Sequence, residues 1–238
     1  MKKSNPLFDE LIVIDDPTPR PGPLNMAIDE ILLSRAQPAV LRFYRWNKPA
    51  ISFGYFVTFA EACVTAGDRM MVRRWTGGGI VPHGHDLTYS IMIGSSDDAF
   101  SLPSKSIYEN VHRALCSALM ATNDDGPLST VAALYERRTE ADSAVIDRRY
   151  NDCFANPVHA DVMVDGRKVA GAAQRKTRSG LLHQGSIQRE NLNGEFITIF
   201  SNLLSNQFVI SEIELDILVA SEELATTKYA TDAWLHRR

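Results

Sequence analysis

Three groups in this chain have the residue types and spacing for chemistry: Lys168 in GRKVAGAA, Cys153 in NDCFANP, and the arginine pair of RRWTGGGIVPHG. Side chains of adjacent strand residues point to opposite faces, so only one of Arg73 and Arg74 is expected to aim at the glycine loop. One guanidinium beside a row of bare backbone N–H groups makes a cradle for a carboxylate or a phosphate. Lys168 lies between Gly166 and Gly171, where small residues let another group approach the backbone, and it is a candidate electrophile for an acyl oxygen or phosphate. Cys153 follows a polar stretch and precedes Pro157, which places it on a loop. It becomes a nucleophile if a nearby cation lowers its pKa, and Lys168 is the candidate cation. The plain alternatives are a flexible hairpin loop for the glycines and a solvated lysine beside a turn for Lys168.

Several other chemistries are not supported. TGGGIVPHG lacks the GK[ST] ending of a P-loop, and Pro82 stands where a GxGxxG motif starting at Gly77 needs its last glycine. Cys63 and Cys116 read as small hydrophobes in apolar helical surroundings, and no CxxC spacing suggests a zinc site or a disulfide framework. His83 and His85 share a strand face if that strand is regular, while Asp86 would point away from them. No third histidine joins them, so no metal site is read. No G-x-S-x-G elbow is present. A net charge of −4, from 25 basic and 29 acidic residues, gives no broad basic field for nucleic acid. No apolar run is long enough to span a membrane, and the polar start MKKSNPLFDE does not read as a signal peptide, so the chain is expected in the cytoplasm.

The elements that must position these groups follow from periodicity. PLNMAIDEILLSRA (23–36) reads as an amphipathic helix with Leu24, Ile28, Ile31 and Leu32 on one face and Asn25 and Asp29 elsewhere. AVLRFYRW (39–46) and AISFGYF read as strands, as do the residues from Met71 to Arg74 and LTYSIMIG (87–94). SKSIYENVHRALCSALMAT (104–122) spaces Ile107, Val111, Leu115 and Leu119 by four, with Ser104 as N-cap. Residues 123–152 are poorly patterned and read as a long loop. DVMVDGRKVAG is a hairpin turning at Asp165-Gly166, and the tail reads as helical pieces. Strands grouped as hairpins, without a strict βαβ rhythm, predict an α+β fold with a mixed, mostly antiparallel sheet flanked by helices.

The segments NMAIDE, RFYRWNKPAISFGYF, RRWTGGGIVPHGHDLTYS, DGRKVAGAAQRKTRSGLLHQGSI and KYATDAWL occur in this order across about residues 25 to 235. Together they resemble the biotin/lipoate protein ligase superfamily on its lipoate-protein ligase A side. The resemblance implies a class II aminoacyl-tRNA synthetase-like and biotin synthetase-like fold, with residues 1–238 as one catalytic domain and no C-terminal accessory domain. It also implies that Arg74, Gly77, Gly78, Gly79, Ile80, Val81 and Pro82 contact an adenylate or the acyl carboxyl end. His83 joins these as a substrate-binding residue, Lys168 contacts the acyl carbonyl, and Gly171, Ala172, His183 and Gly185 line the pocket.

Two branches of the family are compatible with the resemblance. An octanoyltransferase would take octanoyl from acyl carrier protein onto Cys153, without a cofactor, and pass it to a lysine of a lipoyl domain. A ligase would use ATP and Mg²⁺ to form lipoyl-AMP first. Acceptors implied in either case are the E2 component of a 2-oxoacid dehydrogenase or the glycine cleavage H protein. DCFANP and HGHDLTYS look like the octanoyltransferase branch. Val57, where relatives carry glutamine, and the bulky Trp75 are departures that bear on pocket polarity and loop width. A non-catalytic acyl-binding or carrier-binding protein is the remaining alternative.

Overall fold

The computed structural model describes residues 6–122, 132–134, 159–164, 167–188, 192 and 194–237. The strands predicted from apolar runs form the centre of the molecule. β1 (Phe8–Asp15) leads to α1 (Gly22–Arg35), and β2 (Ala39–Tyr44), β3 (Ala50–Phe53), α2 (Phe59–Ala66), β4 (Met70–Arg73), β5 (Ile80–His83) and β6 (Leu87–Gly94) follow. α3 (Ser104–Ala121), β7 (Ala132–Leu134), β8 (Val162–Val164), β9 (Arg167–Lys176), β10 (Gly180–Ile187), α4 (Phe196–Leu204), β11 (Ser205–Ser211), α5 (Leu215–Leu224) and α6 (Asp232–Leu235) complete the order.

Eight strands form one sheet in the order β11-β1-β2-β6-β10-β9-β8-β7. β1 pairs in parallel with both β11 and β2, and the other pairings in this sheet are antiparallel. β2, β6 and β10 are buried at every position because helices cover both faces. On one face Phe43, Tyr89 and Ile91 pack with Ile107, Val111 and Leu115 of α3 and Phe200 of α4. On the other, Val40, Met92 and Leu182 pack with Ile28 and Leu32 of α1 and Ile217 of α5. Ile107 is fully buried, and truncating such a residue to alanine costs about 2–5 kcal/mol.

A second sheet, β4-β3-β5, carries the arginine and glycine segment. α2 packs on it, and its start is held by a capping box in which the Thr58 side chain accepts from the Glu61 N–H. This helix escapes the periodicity reading.

Several local expectations are corrected. Pro103 is the N-cap of α3, with no side-chain cap, and Ser104 is the first helical residue. The tail contains a strand, β11, where only helical pieces are expected, because its partner β1 lies at the other end of the chain. Part of the expected long loop pairs as β7 with β8, while residues 123–131 and 135–152 lie outside the described residues. Cys63 is exposed on α2, whereas Cys116 is buried as expected. Among the described residues, no helix is long and apolar enough to cross a membrane.

Candidate active site

The expected hairpin is formed by β8 and β9, with Val164 opposite Arg167 and Met163 opposite Lys168; residues 165 and 166 lie outside the described residues. Lys168 is not solvated. Its Nζ lies 2.8 Å from Asp161 Oδ2, with the side chains 5% and 0% exposed. The second Asp161 oxygen accepts from the Tyr108 hydroxyl of α3 at 2.5 Å, and that hydroxyl accepts from the Ala172 N–H at 3.2 Å. Burial, followed by the Asp161 charge, pushes the Tyr108 phenol far above its ordinary value, so it stays a donor to the carboxylate. The lysine stem lies across Gly171: a Cβ there would sit 2.4 Å from Lys168 Cε. Gly171 therefore makes room for the lysine itself. Gly185 likewise makes room for Tyr89, whose ring would be 2.3 Å from an added Cβ.

The division of labour expected for the arginine pair holds, although Arg74 lies just beyond β4. Arg73 points away from the glycine loop and donates to the carbonyls of Tyr55, Val57 and Leu235. Arg74 turns toward it, donating to Ser52 Oγ at 2.7 Å, Gly77 O at 3.1 Å and Gly79 O at 2.9 Å. The guanidinium thus shapes the loop through its carbonyls.

Ser52 Oγ is also 2.6 Å from His83 Nε2, and His83 Nδ1 is 2.7 Å from Asp86 Oδ2. Asp86 accepts in addition from Thr88 and Ser186 hydroxyls and from the Gly84 N–H. Burial lowers the His83 pKa more than Asp86 raises it, and the ring is neutral at pH 7. Burial alone would raise the Asp86 pKa, but His83 and the other donors hold it below the ordinary carboxylate value. This corrects the expected strand geometry: Asp86 meets His83, while His85 is exposed and does not share its face.

Between these two clusters lies a cleft with about 460 Å³ of empty space, some of it open to solvent. Arg74, Val81, His83, Lys168, Gly171, Ala172 and Gly185 are among the residues that line it. Met26, Tyr44, Trp46, Ser52, Thr88 and Gln184 are among the lining residues that sequence reasoning missed. His183 is on the opposite face of β10 from Gln184, with Nε2 3.2 Å from the Tyr89 hydroxyl and Nδ1 3.0 Å from Gln174. Ile80 is buried among Ile51, Phe53 and Ala62, and Pro82 O accepts from Gln188. Val57 packs in that same cluster, so its departure from the family pattern falls in a core. Trp75 lies under the Arg175 guanidinium at 4.8 Å. Cys153 lies outside the described residues.

A buried network ties the cleft floor to the fold. Asn25 and Asp29, expected away from the apolar face of α1, are both fully buried. Arg42 donates to Asp29 Oδ1 at 2.9 Å, Asn25 Oδ1 at 2.8 Å and Asp16 Oδ2 at 2.8 Å. Gln184 donates to Asp29 Oδ2 and accepts from Thr76, each at 2.8 Å, joining α1, β10 and the glycine segment. The signal available in the sequence was NMAIDE itself, a helix whose polar residues fall on its packed side.

Comparison with known proteins follows the same lines. A family model described as the lipoyl protein ligase A/B catalytic domain matches residues 21–206. The octanoyltransferase LipM of Oceanobacillus iheyensis is 33% identical over 178 residues, covering 71% of this chain. The matched stretch spans 61% of the length of that relative. Among solved structures, lipoate-protein ligase A bound with ATP is similar at a TM-score of 0.70 and 20% identity, covering 96% of this chain and 98% of that one. A bi-partite lipoate protein ligase, solved in a study of that ligase and its E2 lipoyl domain from Thermoplasma acidophilum, is similar at 0.65 and 20%, covering 96% of each chain.

Proposed function

The chain belongs to the lipoyl protein ligase A/B catalytic domain family, and on that premise we propose that it transfers an octanoyl or lipoyl group to a lysine of a lipoyl-carrier domain through a thioester on Cys153. The observation that supports this reading most is the buried Lys168–Asp161 pair at the wall of the cleft that Arg74 also lines. Asp161 keeps an ammonium in place inside the protein, where a cation aimed at a developing oxyanion is worth far more than in water. A thioester donor, an acyl carrier protein bearing octanoyl, presents its carbonyl oxygen to Lys168. The Cys153 thiolate attacks the carbonyl carbon, a C–S bond to Cys153 forms, and the donor C–S bond breaks with release of the carrier thiol. The acceptor lysine, as neutral amine, then attacks the same carbon. The C–N bond forms, the amine gives up its proton, and the Cys153 thiolate leaves.

A thioester is already activated, so this route needs no ATP. The donor and acceptor domains are the partners, and the cytoplasm is the compartment in which both reside. The name of the Oceanobacillus relative, an octanoyltransferase, favours this route. The alternative is the ligase route, with ATP and Mg²⁺. Among the described residues no cluster of three acidic, histidine or cysteine side chains suits a metal ion, and Asp16 and Asp29 are engaged by Arg42.

Incubation with octanoyl-acyl carrier protein tests the proposal. Intact mass should show one octanoyl adduct on the wild type and none on Cys153→Ala. An unlabelled wild type, or an adduct that survives Cys153→Ala, overturns it. Lipoate-dependent pyrophosphate exchange that persists in Cys153→Ala and fails in Lys168→Ala identifies the ligase instead.

A further inference from the structure

The segment KYATDAWL near the end of the chain takes no part in the chemistry proposed above, yet it closes onto the residue that precedes Arg74. β4 is an edge strand of the sheet β4-β3-β5, so one side of its backbone has no strand to pair with. The Arg73–Arg74 peptide is trans, and its N–H and C=O point to opposite sides. The Arg74 N–H donates inward to Phe53 O of β3 at 2.8 Å. The Arg73 carbonyl therefore faces the open side, where Trp234 Nε1 donates to it at 3.0 Å in a buried contact. Arg73 returns the grip, its guanidinium donating to Trp234 O at 3.0 Å and to Leu235 O at 2.9 Å. One peptide plane is thus held from both sides, by the sheet and by a residue 161 positions away.

We propose that Trp234 is a positioning residue for Arg74, fixing the peptide plane from which that side chain enters the cleft. This rests on the acyl-binding reading above. A peptide held on one side only tilts about its remaining hydrogen bond, and the Cα–Cβ bond of Arg74 tilts with it. The guanidinium stands at the end of a long side chain, so a small rotation at the backbone becomes a displacement at its nitrogens. Those nitrogens donate to Ser52 Oγ at 2.7 Å, Gly77 O at 3.1 Å and Gly79 O at 2.9 Å, so the glycine loop follows Arg74. Trp234 is not among the residues that line the cleft; it packs behind them with Val72, Tyr229 and Trp46. Phenylalanine at this position keeps an aromatic ring in that packing and removes the donor.

The rate of octanoyl adduct formation on Cys153, followed by intact mass at subsaturating octanoyl-acyl carrier protein, tests this. Trp234→Phe should slow it about tenfold, inside the roughly hundredfold that a displacement of about 1 Å costs. Its Tm should fall by only about 2–4 °C, the worth of one hydrogen bond in a chain of this size. Arg74→Met keeps the length of the side chain and removes its donors, and on that background Trp234→Phe should change the rate by less than about twofold. A merely structural role would slow both backgrounds alike. Amide hydrogen exchange gives a readout that needs no acyl donor: residues 74–83 should exchange about tenfold faster in Trp234→Phe, with β6 and β10 unchanged. An adduct rate in Trp234→Phe equal to wild type, equal slowing on both backgrounds, or unchanged exchange over residues 74–83 each overturns the inference. If Arg74→Met does not fold, the single variant and its exchange decide. A wild type that forms no adduct overturns the acyl reading, and the exchange comparison then decides whether Trp234 holds Arg74.

Discussion

Replacing Gly171 by alanine should cost both stability and activity, and the size of each follows from one contact. The new Cβ would lie 2.4 Å from Lys168 Cε, 2.6 Å from its Nζ and 3.2 Å from Asp161 Oδ1. Carbon atoms rest at about 3.5–4.0 Å, so the end of the lysine must swing away by an ångström or more. It cannot then keep 2.8 Å to Asp161. Removing one partner of a buried pair costs about 3–5 kcal/mol. The lysine moves rather than vanishes, Tyr108 still donates to Asp161, and the loss of glycine freedom in the unfolded chain returns about 0.4–1 kcal/mol. The net expected loss is about 2–3 kcal/mol, or roughly 4–12 °C in Tm for a chain of this size. Displacing the ammonium from the acyl oxygen should slow transfer by about 10²–10³, the cost of losing one oxyanion donor. Calorimetric unfolding and octanoyl transfer to a lipoyl domain measure the two effects. The double variant with Lys168→Ala isolates the clash as the cause, because without the lysine the added methyl has room. Gly171→Ala should then add little to Lys168→Ala. A Tm and rate close to wild type, or two fully additive substitutions, would refute the reasoning.

The remaining predictions concern the loop, the buried network and acid pH. Gly54→Ala places a Cβ 2.0 Å from Gly78 O, a backbone atom, so the glycine loop must move and octanoate affinity should fall; Gly77→Ala meets nothing within 4 Å and should unfold at the wild-type temperature. Arg42→Met strips Asp16 and Asp29 of their shared cation and should cost about 3–5 kcal/mol in urea unfolding. A loss under 1 kcal/mol would show that the two carboxylates find other partners. His112 is pushed down to about 4 by burial, so the unfolded chain binds its proton first as pH falls. The stability this represents is complete above the unfolded value of about 6.5 and is lost down to about pH 4, roughly 3 kcal/mol in all. Unfolding free energy measured at pH 7 and 4.5 should show this fall, and His112→Asn should flatten it.

The fold was legible where a pattern is local. Ile107, Val111, Leu115 and Leu119 at spacings of four announce α3, and each is at most 1% exposed. The largely apolar LTYSIMIG announces a strand, and β6 is buried at every position. β11 carries no such signal. SNQFVIS has three apolar residues in a row half-way along and follows an apolar helix directly, so its strand character comes from pairing with β1, whose residues are distant in the chain. α2 was missed for a different reason: eight residues are too few for periodicity to register, although Thr58 and Glu61 stood at capping-box spacing.

The cations of the site were legible and their anions were not. Lys168 and Arg74 announce themselves by their glycine neighbours, which a cation solvated at the surface does not need. Asp29, Asp86 and Asp161 sit in segments where an aspartate ordinarily faces water, and only the packing of distant elements buries them. Asp161 is reached by Tyr108 from α3 and by Lys168 from β9, and Asp86 by His83, Thr88 and Ser186 from three strands. This arrangement has a consequence for the cleft. Lys168 and His83 are each held from behind by a buried carboxylate, and Asp29 holds Gln184 and Arg42 in the same way. The carboxylates spend their acceptor capacity on the protein, and the charged side chains that line the cleft are the cations Lys168 and Arg74. A site so built favours a ligand rich in acceptors, an acyl carbonyl or carboxylate, and it does so in a chain whose net charge of −4 points the other way.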